Sequence, residues 1–241
     1  MAFGHGKDAR IFVHGFDGHT VLSSVTLALE AEAPGVDVLE NADKEYITGL
    51  RDATLNADGF FDGADDGGDE VINGLLAGED KVIAFYPQGD AAGRVGYGVA
   101  GELTTYEPTE PIDGPGTISI EMQSSVGAER GVSLQPGSTS VVATGNGATV
   151  DNAVATTAGG SVQLHVLDKI GGTNITVEIH HSTDNFAGDD TILATFTVQT
   201  TDLVAQRIAI ASGTTIKRYV RARHVLGAGG TWRYNAFINR D

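Results

Sequence analysis

Residues 96–125 constrain the fold more than any other segment of this chain. Val99, Gly101, Leu103 and Thr105 alternate on one side, and Ile118, Ile120 and Met122 return on the other. Between them fall Pro108, Pro111, Gly114, Pro115 and Gly116. Period-two alternation on both sides of a Pro/Gly/Asp-rich break predicts two long antiparallel strands joined by a turn. The 33 glycines, the many Thr, Val and Ala residues and the scarcity of helical periodicity extend this reading to the whole chain. The expected fold class is all-β with one short helix, arranged as two tandem β-sandwich or barrel-like domains.

Length and charge divide the chain. Its 241 residues suffice for two β domains of ordinary size, and its formal charge is −17. Residues 1–120 hold 22 acids against 6 bases, whereas residues 121–241 hold 10 against 9. Only the second half can carry a basic face. Asp outnumbers Glu by 20 to 12 and there are 5 lysines, a balance that suits a surface kept soluble at high salt and hence a halophilic host. There is no cysteine, which removes disulfides and thiolate metal sites. No apolar run reaches the ~18 residues of a membrane span, and the opening residues lack the order of a signal peptide. No membrane partner is expected.

In the first half, strands are expected at Arg10–Val13, Val21–Glu32, Tyr46–Asn56 and Lys81–Tyr86, with a loop over Asp58–Asp69. The one helix is placed at Glu70–Leu76, capped by Asp69. Gln135-Pro136-Gly137-Ser138 is the linker candidate, giving domains 1–135 and 136–241. Beyond it strands are expected at Val162–Asp168, Ile175–His180, Ile192–Val198, Gln206–Ala211, Arg218–Val225 and Trp232–Asn239. The halves echo one another in order. Gly49–Leu55 parallels Gly171–Val177, Lys81–Ala84 parallels Gln206–Ala209, and Tyr97-Gly98-Val99 parallels Tyr219-Val220-Arg221, suggesting duplication.

Catalytic and metal readings find little support. Ile11–Gly18 has the look of a hydrolase strand and loop, but no G-x-S-x-G elbow follows, so no catalytic residues are assigned and the chain is not expected to be an enzyme. Asp58, Asp62, Asp65, Asp66 and Asp69 are weak calcium candidates, because their spacing departs from an EF-hand and suits a solvated loop. His180 and His181 on one strand point to opposite faces, and nothing in the spacing brings His165, His180 and Asp184 together. No metal or other cofactor is expected. Lys217, Arg218, Arg221 and Arg223 form the one basic cluster. Against so acidic a background, this stripe reads as a contact with the acidic half of a neighbouring subunit rather than a nucleic-acid site.

Taken together, several segments resemble the major tail tube proteins of siphovirus-type phages and archaeal viruses. They are Phe3-Gly4-His5-Gly6-Lys7, Tyr46–Asp52, Phe60-Phe61-Asp62-Gly63, Asp69–Leu76, Glu102–Pro108 and Pro111-Ile112-Asp113-Gly114. In the second half, Gly145-Asn146-Gly147, His181–Asp184 and Arg218–Arg221 are similar to the C-terminal half of some members. The resemblance implies a virion protein assembled in the host cytoplasm, whose rings stack into a tube that passes viral DNA and surrounds a tape measure protein, with no sequence-specific contact. If both halves are tube domains, three chains make a pseudo-sixfold ring. If the second half decorates the outside, six chains are needed. Glu102, Glu107, Glu110, Asp113 and Glu121 are the lumen candidates, and residues 1–9 with Asp37–Glu45 are the stacking candidates. The alternative is a calcium-dependent, glycan-binding β-sandwich adhesin, for which Trp232 and few tyrosines are poor equipment.

Overall fold

A computed structural model describes residues 6–31, 51–64, 67–76 and 81–241. The all-β expectation with one short helix holds. In the first half lie β1 (Arg10–Val13), β2 (Phe16–Asp17), β3 (Leu22–Ala31), β4 (Arg51–Phe60), helix α1 (Gly68–Asn73), β5 (Lys81–Tyr86), β6 (Val95–Thr109) and β7 (Thr117–Gln135). Three short strands follow, β8 (Ser140–Val141), β9 (Gly145–Asn146) and β10 (Val150–Asp151). The second half is completed by β11 (Gly160–Ile170), β12 (Ile175–Ser182), β13 (Thr191–Thr195), β14 (Val204–Ile210), β15 (Tyr219–Leu226) and β16 (Thr231–Arg240). The Tyr46–Leu50 part of the strand expected at Tyr46–Asn56 and the Asp37–Glu45 segment lie outside the described residues, as do residues 1–5.

Local chemistry moves several boundaries. The strand β4 runs through Phe60 instead of yielding to a loop at Asp58, because Ala53, Leu55 and Ala57 bury one face while Asp52, Asn56 and Asp58 keep the other in water. The helix starts earlier than expected, and its N-cap is Gly67, with no side-chain cap bond. Asp69 lies inside the first turn, where its charge suits the helix dipole. Its carboxylate is taken by the Tyr106 hydroxyl at 2.5 Å.

One sheet crosses from the first half into the second. Its order is β14-β11-β16-β7-β6-β5-β1-β2, with β3 and β4 branching from β7. Long β7 makes the crossing: Thr117–Gln123 pairs with β4, and residues 131–135 pair with β16. The smaller sheet, β10-β15-β12-β13 with β9 beside β15, covers the second half.

Three apolar clusters result. Leu55, Ile83, Val99, Ile120 and Met122 centre the first half under Ile72 and Leu75, and Val162, Ile179, Phe196, Trp232 and Tyr234 centre the second. Phe12, Ala84, Tyr86, Leu167 and Phe237 form the third, where the halves meet. There the His14-Gly15 turn joins β1 to β2 with φ of 46° and 95°. Two successive positive φ values match the twist of a tight hairpin. A side chain at Gly15 would also lie 2.4 Å from the Val204 backbone nitrogen. Next to it, the Gly15 N–H donates to His165 Nδ1 at 3.3 Å.

Two expectations about organisation change. Gln135–Ser138 is a packed turn after β7 has already met β16: the Gly137 N–H donates to buried Asp90 at 2.6 Å, and a Cβ there would strike Phe12 and Leu167. The sequence echo between halves is not matched by strand pairing. In the first half the order is β3-β4-β7-β6-β5, each paired with the next. The strands β5 and β6 pair with each other, whereas β14 and β15, which echo them, lie in different sheets, β14 beside β11 and β15 beside β12. Gly- and Thr-rich turns recur in any β chain, and here they recur in two different topologies.

Candidate functional site

The face of β3, β4, β7 and β6 that points away from the helix is polar apart from Ala28. Its rows follow from the register: Ser24–Asp58–Ser119–Glu107, then Thr26–Asn56–Glu121–Thr105, then Ala28–Thr54–Gln123–Glu102, with Glu30 beside Asp52 beyond. Six carboxylates and no Lys, Arg or His occupy these positions. Adjacent strands stand ~4.8 Å apart, and same-face neighbours along a strand about 7 Å, so the charges spread over the sheet rather than converge. No group of three or more acids, histidines or cysteines could hold a metal among the described residues. Hydroxyls and amides knit the face together. Ser24 Oγ donates to Asp58 at 3.0 Å, Thr54 Oγ1 donates to Gln123 Oε1 at 3.1 Å, and Gln123 Nε2 donates to Asp52.

Of the five lumen candidates, Glu102, Glu107 and Glu121 stand on this face, and Glu110 and Asp113 sit in the turn at the hairpin tip. Glu30 and Asp52 join the face without having been singled out, and Asp58, read in the sequence as a weak calcium candidate, joins it too. Their signal is the alternation itself, since Ala53, Leu55 and Ala57 interleave with Asp52, Asn56 and Asp58. The hairpin's own parity fails at one point. A register shift between Leu103 and Thr105 moves Thr105 to the polar side opposite Glu121, and Tyr106 takes the core side opposite Ile120. A bulge inserts one residue and so exchanges the two faces.

Two edges of this four-stranded layer lack a partner among the described residues. The strand β3 pairs only with β4, leaving its outer edge open from Leu22 to Ala31. The strand β5 covers β6 only from Lys81–Gly101 to Phe85–Tyr97, leaving the outer edge of Glu102–Thr109 open. Pro108 on that stretch fits an edge, since proline cannot serve a central strand. The hairpin tip beyond it carries Ile112, fully exposed.

The basic stripe is answered within its own chain. Lys217 pairs with Asp189 at 2.6 Å, Arg218 with Asp151 at 2.7 Å, Arg221 with Asp190 at 2.6 Å and Arg223 with Glu178 at 2.8 Å. Lys217 and Thr183 hold the Asp189 carboxyl well below the usual range, and Arg218 lowers Asp151 to about 2. Burial pushes Glu178 up, but hydrogen bonds from His180 and Arg223 outweigh it and leave the carboxyl lowered. Along this strand Val220, Ala222 and His224 are buried behind Tyr219, Arg221 and Arg223.

The remaining candidates stay apart. His180 lies between Asp190 and Glu178, His181 Nδ1 accepts from the Lys217 N–H, and Asp184 accepts from Ser182 at 2.8 Å. His165 is buried where the halves meet, and loss of water lowers it to about 3, with nearby His14 adding to the shift. In the acidic loop, Asp58 faces the polar layer, Asp62 accepts from the Ala64 N–H, and Asp69 bonds Tyr106. Asp65 and Asp66 lie outside the described residues. No helix among the described residues is long and apolar enough to cross a membrane.

No protein-family model and no curated protein matches the chain. Among solved structures, it is similar to a chain of the virion of a native gene transfer agent particle, 17% identical, covering 53% of this chain and 98% of that one at a TM-score of 0.42. The SPP1 tail tube is 12% identical and covers 53% of this chain and 78% of its own at 0.44. The SPP1 Dit protein, from a phage adsorption hub, is 10% identical and covers 96% and 98% at 0.38. All three are phage-type tail or virion proteins. At these scores the likenesses carry no argument about what this chain does.

Proposed function

We propose that this chain is a structural virion protein, the subunit of a tail tube, and that its four-stranded acidic layer forms the tube wall. The supporting observation is the layer itself: one apolar face under a helix, one acid-only face, and an open edge on either side. An even number of antiparallel strands leaves β3 and β6 running in opposite directions. The open edge of β6 can therefore meet β3 of an identical copy in the same orientation and continue the antiparallel sheet. Repetition closes a ring and removes the free edges.

Ring size decides what passes. Six copies contribute 24 strands, and at a spacing of ~4.8 Å and a tilt of about 40° the backbone wall is roughly 45–50 Å across. Three copies give about 24 Å, which side chains would nearly fill. The second half offers no second four-stranded layer of this kind, because β16, β11 and β14 extend the first-half sheet from β7 and β12, β13 and β15 belong to the smaller sheet. Six copies with the second half outside the wall is the reading adopted here. The acid-only face then lines the lumen and repels the phosphates of viral DNA, so that DNA moves without sticking during ejection. The tape measure protein would occupy the same lumen before DNA does, and assembly would take place in the host cytoplasm.

Negative-stain microscopy from low to molar salt, at rising concentration, tests this. Rings or tubes with sixfold end-on views are expected, favoured by salt that screens the repulsion between copies. Threefold views would overturn the six-copy wall. A monomer under every condition, tail-tip seeds included, would overturn the tube.

A further inference from the structure

A cavity of about 450 Å³ opens beside the free edge of β3, where β3 starts and where β1 and β5 face it. Ile11, Leu22, Val25 and Phe85 give it apolar walls, and Lys7 and Arg10 stand at its rim. The first 120 residues hold only six bases, and two of them are here. Arg10 has no ion pair among the described residues. The hairpin tip has the opposite character: Glu107, Glu110 and Asp113 surround fully exposed Ile112.

We infer that this cavity is the seat of the hairpin tip of a neighbouring copy, with Ile112 entering the apolar pocket and Glu110 and Asp113 meeting Arg10 and Lys7. The inference rests on the ring reading above and specifies its contact. Register leads to the same place. Ser24 and Glu107 share a row across the layer, so a neighbour's β6 laid on the β3 edge carries its tip to the end where β3 begins, with a stagger of about five residues per copy at a tilt of about 40°. Residues 109–116 of that neighbour then run past Leu22, where β3 begins and the cavity opens. Within one chain, by contrast, β3 and β6 are separated by β4 and β7, about 14 Å at sheet spacing. The tip does not line the cavity of its own chain. Burying Ile112 supplies attraction that salt does not weaken, and the charges fix which end of the neighbour docks.

The chain has no cysteine, so a Ser23→Cys/Ile112→Cys double variant carries only the two probes. On assembly with a short bismaleimide, a ladder of covalent dimers and higher species is expected, and each single-cysteine variant should give none above a dimer. Rings that form without the ladder would overturn this seat and leave the tube reading standing. Where no rings form, a peptide spanning residues 105–117 titrated into the labelled full chain decides the matter. Amide shifts confined to Lys7, Arg10, Ile11 and Val25, weakened at least tenfold by Arg10→Glu or by Ile112→Glu in the peptide, support the seat. No shift at millimolar peptide overturns it.

Discussion

The polar face of β3, β4, β7 and β6 and the basic stripe formed by β15 and the two residues before it show two uses of the same residues. On the first, six carboxylates stand without a cation. On the second, Lys217, Arg218, Arg221 and Arg223 each meet a carboxylate of their own chain. Net charges of −16 and −1 in the two halves thus have a local cause. The second surface is internally neutral and needs no partner, whereas the first carries field it cannot cancel. The comparison separates a surface that serves its own fold from one that is costly to the isolated chain and makes sense against something charged.

The point where the two regions join should give the largest effect when broken. At Gly15, Val in place of Gly places a branched side chain at φ of 95° and against the Val204 backbone. A loss of about 3 kcal/mol or more in urea unfolding is expected. If the halves unfold as separate units in that variant, the crossing at β7 is weaker than the continuous sheet implies.

Acid pH distinguishes the junction from the paired surface. Burial lowers His165 to about 3 from an ordinary 6.5, so the unfolded chain binds the proton first. That stability is fully present above about pH 6.5 and is lost as pH falls toward 3, amounting to roughly 2–3 kcal/mol by pH 4.5. The carboxylates lowered by Lys217, Arg218 and Arg223 lose their contribution only below their own unfolded values near 4. Unfolding of wild type and His165→Gln at pH 7.5 and 4.5 should therefore differ in slope, the variant being flatter. Equal slopes would remove His165 from this account.

A smaller effect is expected inside the second region. Glu178→Gln leaves Arg223 and His180 without their shared carboxylate and should cost about 2 kcal/mol. Arg218→Ala, in an exposed pair, should leave the urea midpoint unchanged. A large loss at Arg218 would mean that the stripe is organised as one network.

Much of this was legible in the sequence because it rests on period two. The long hairpin appears where alternation put it, and Lys81–Tyr86 appears where its short apolar run put it. What escaped depends on pairing. A bulge at Thr104 cannot be read from the residues of one strand, and it reverses the parity of Thr105 and Tyr106. The apparent repeat failed for the same reason, since order along a chain does not say which strands bond. The acidic face was half visible. Glu102 and Glu121 stood out on the hairpin, but Asp52 and Asp58 join them only once β4 is known to lie beside β7.

The finest test compares matched neutralisations of the two surfaces. Glu102→Gln, Glu107→Gln and Glu121→Gln together remove three charges from the unpaired face. No ion pair is broken there, so the monomer's stability should stay within roughly 0.5 kcal/mol, on the side of a gain because like charges part. Asp151→Asn, Glu178→Gln and Asp190→Asn remove the same number from the second half. They strand Arg218, Arg223 and Arg221 and should lower the unfolding midpoint visibly. Assembly should reverse the ranking. The first variant should form rings at lower salt than wild type, because closing a ring brings these faces around one lumen, and the second should need as much salt as before. Should the first triple leave the salt threshold where it was, the acidic face lies outside the wall, and its charge answers to solubility rather than to a lumen.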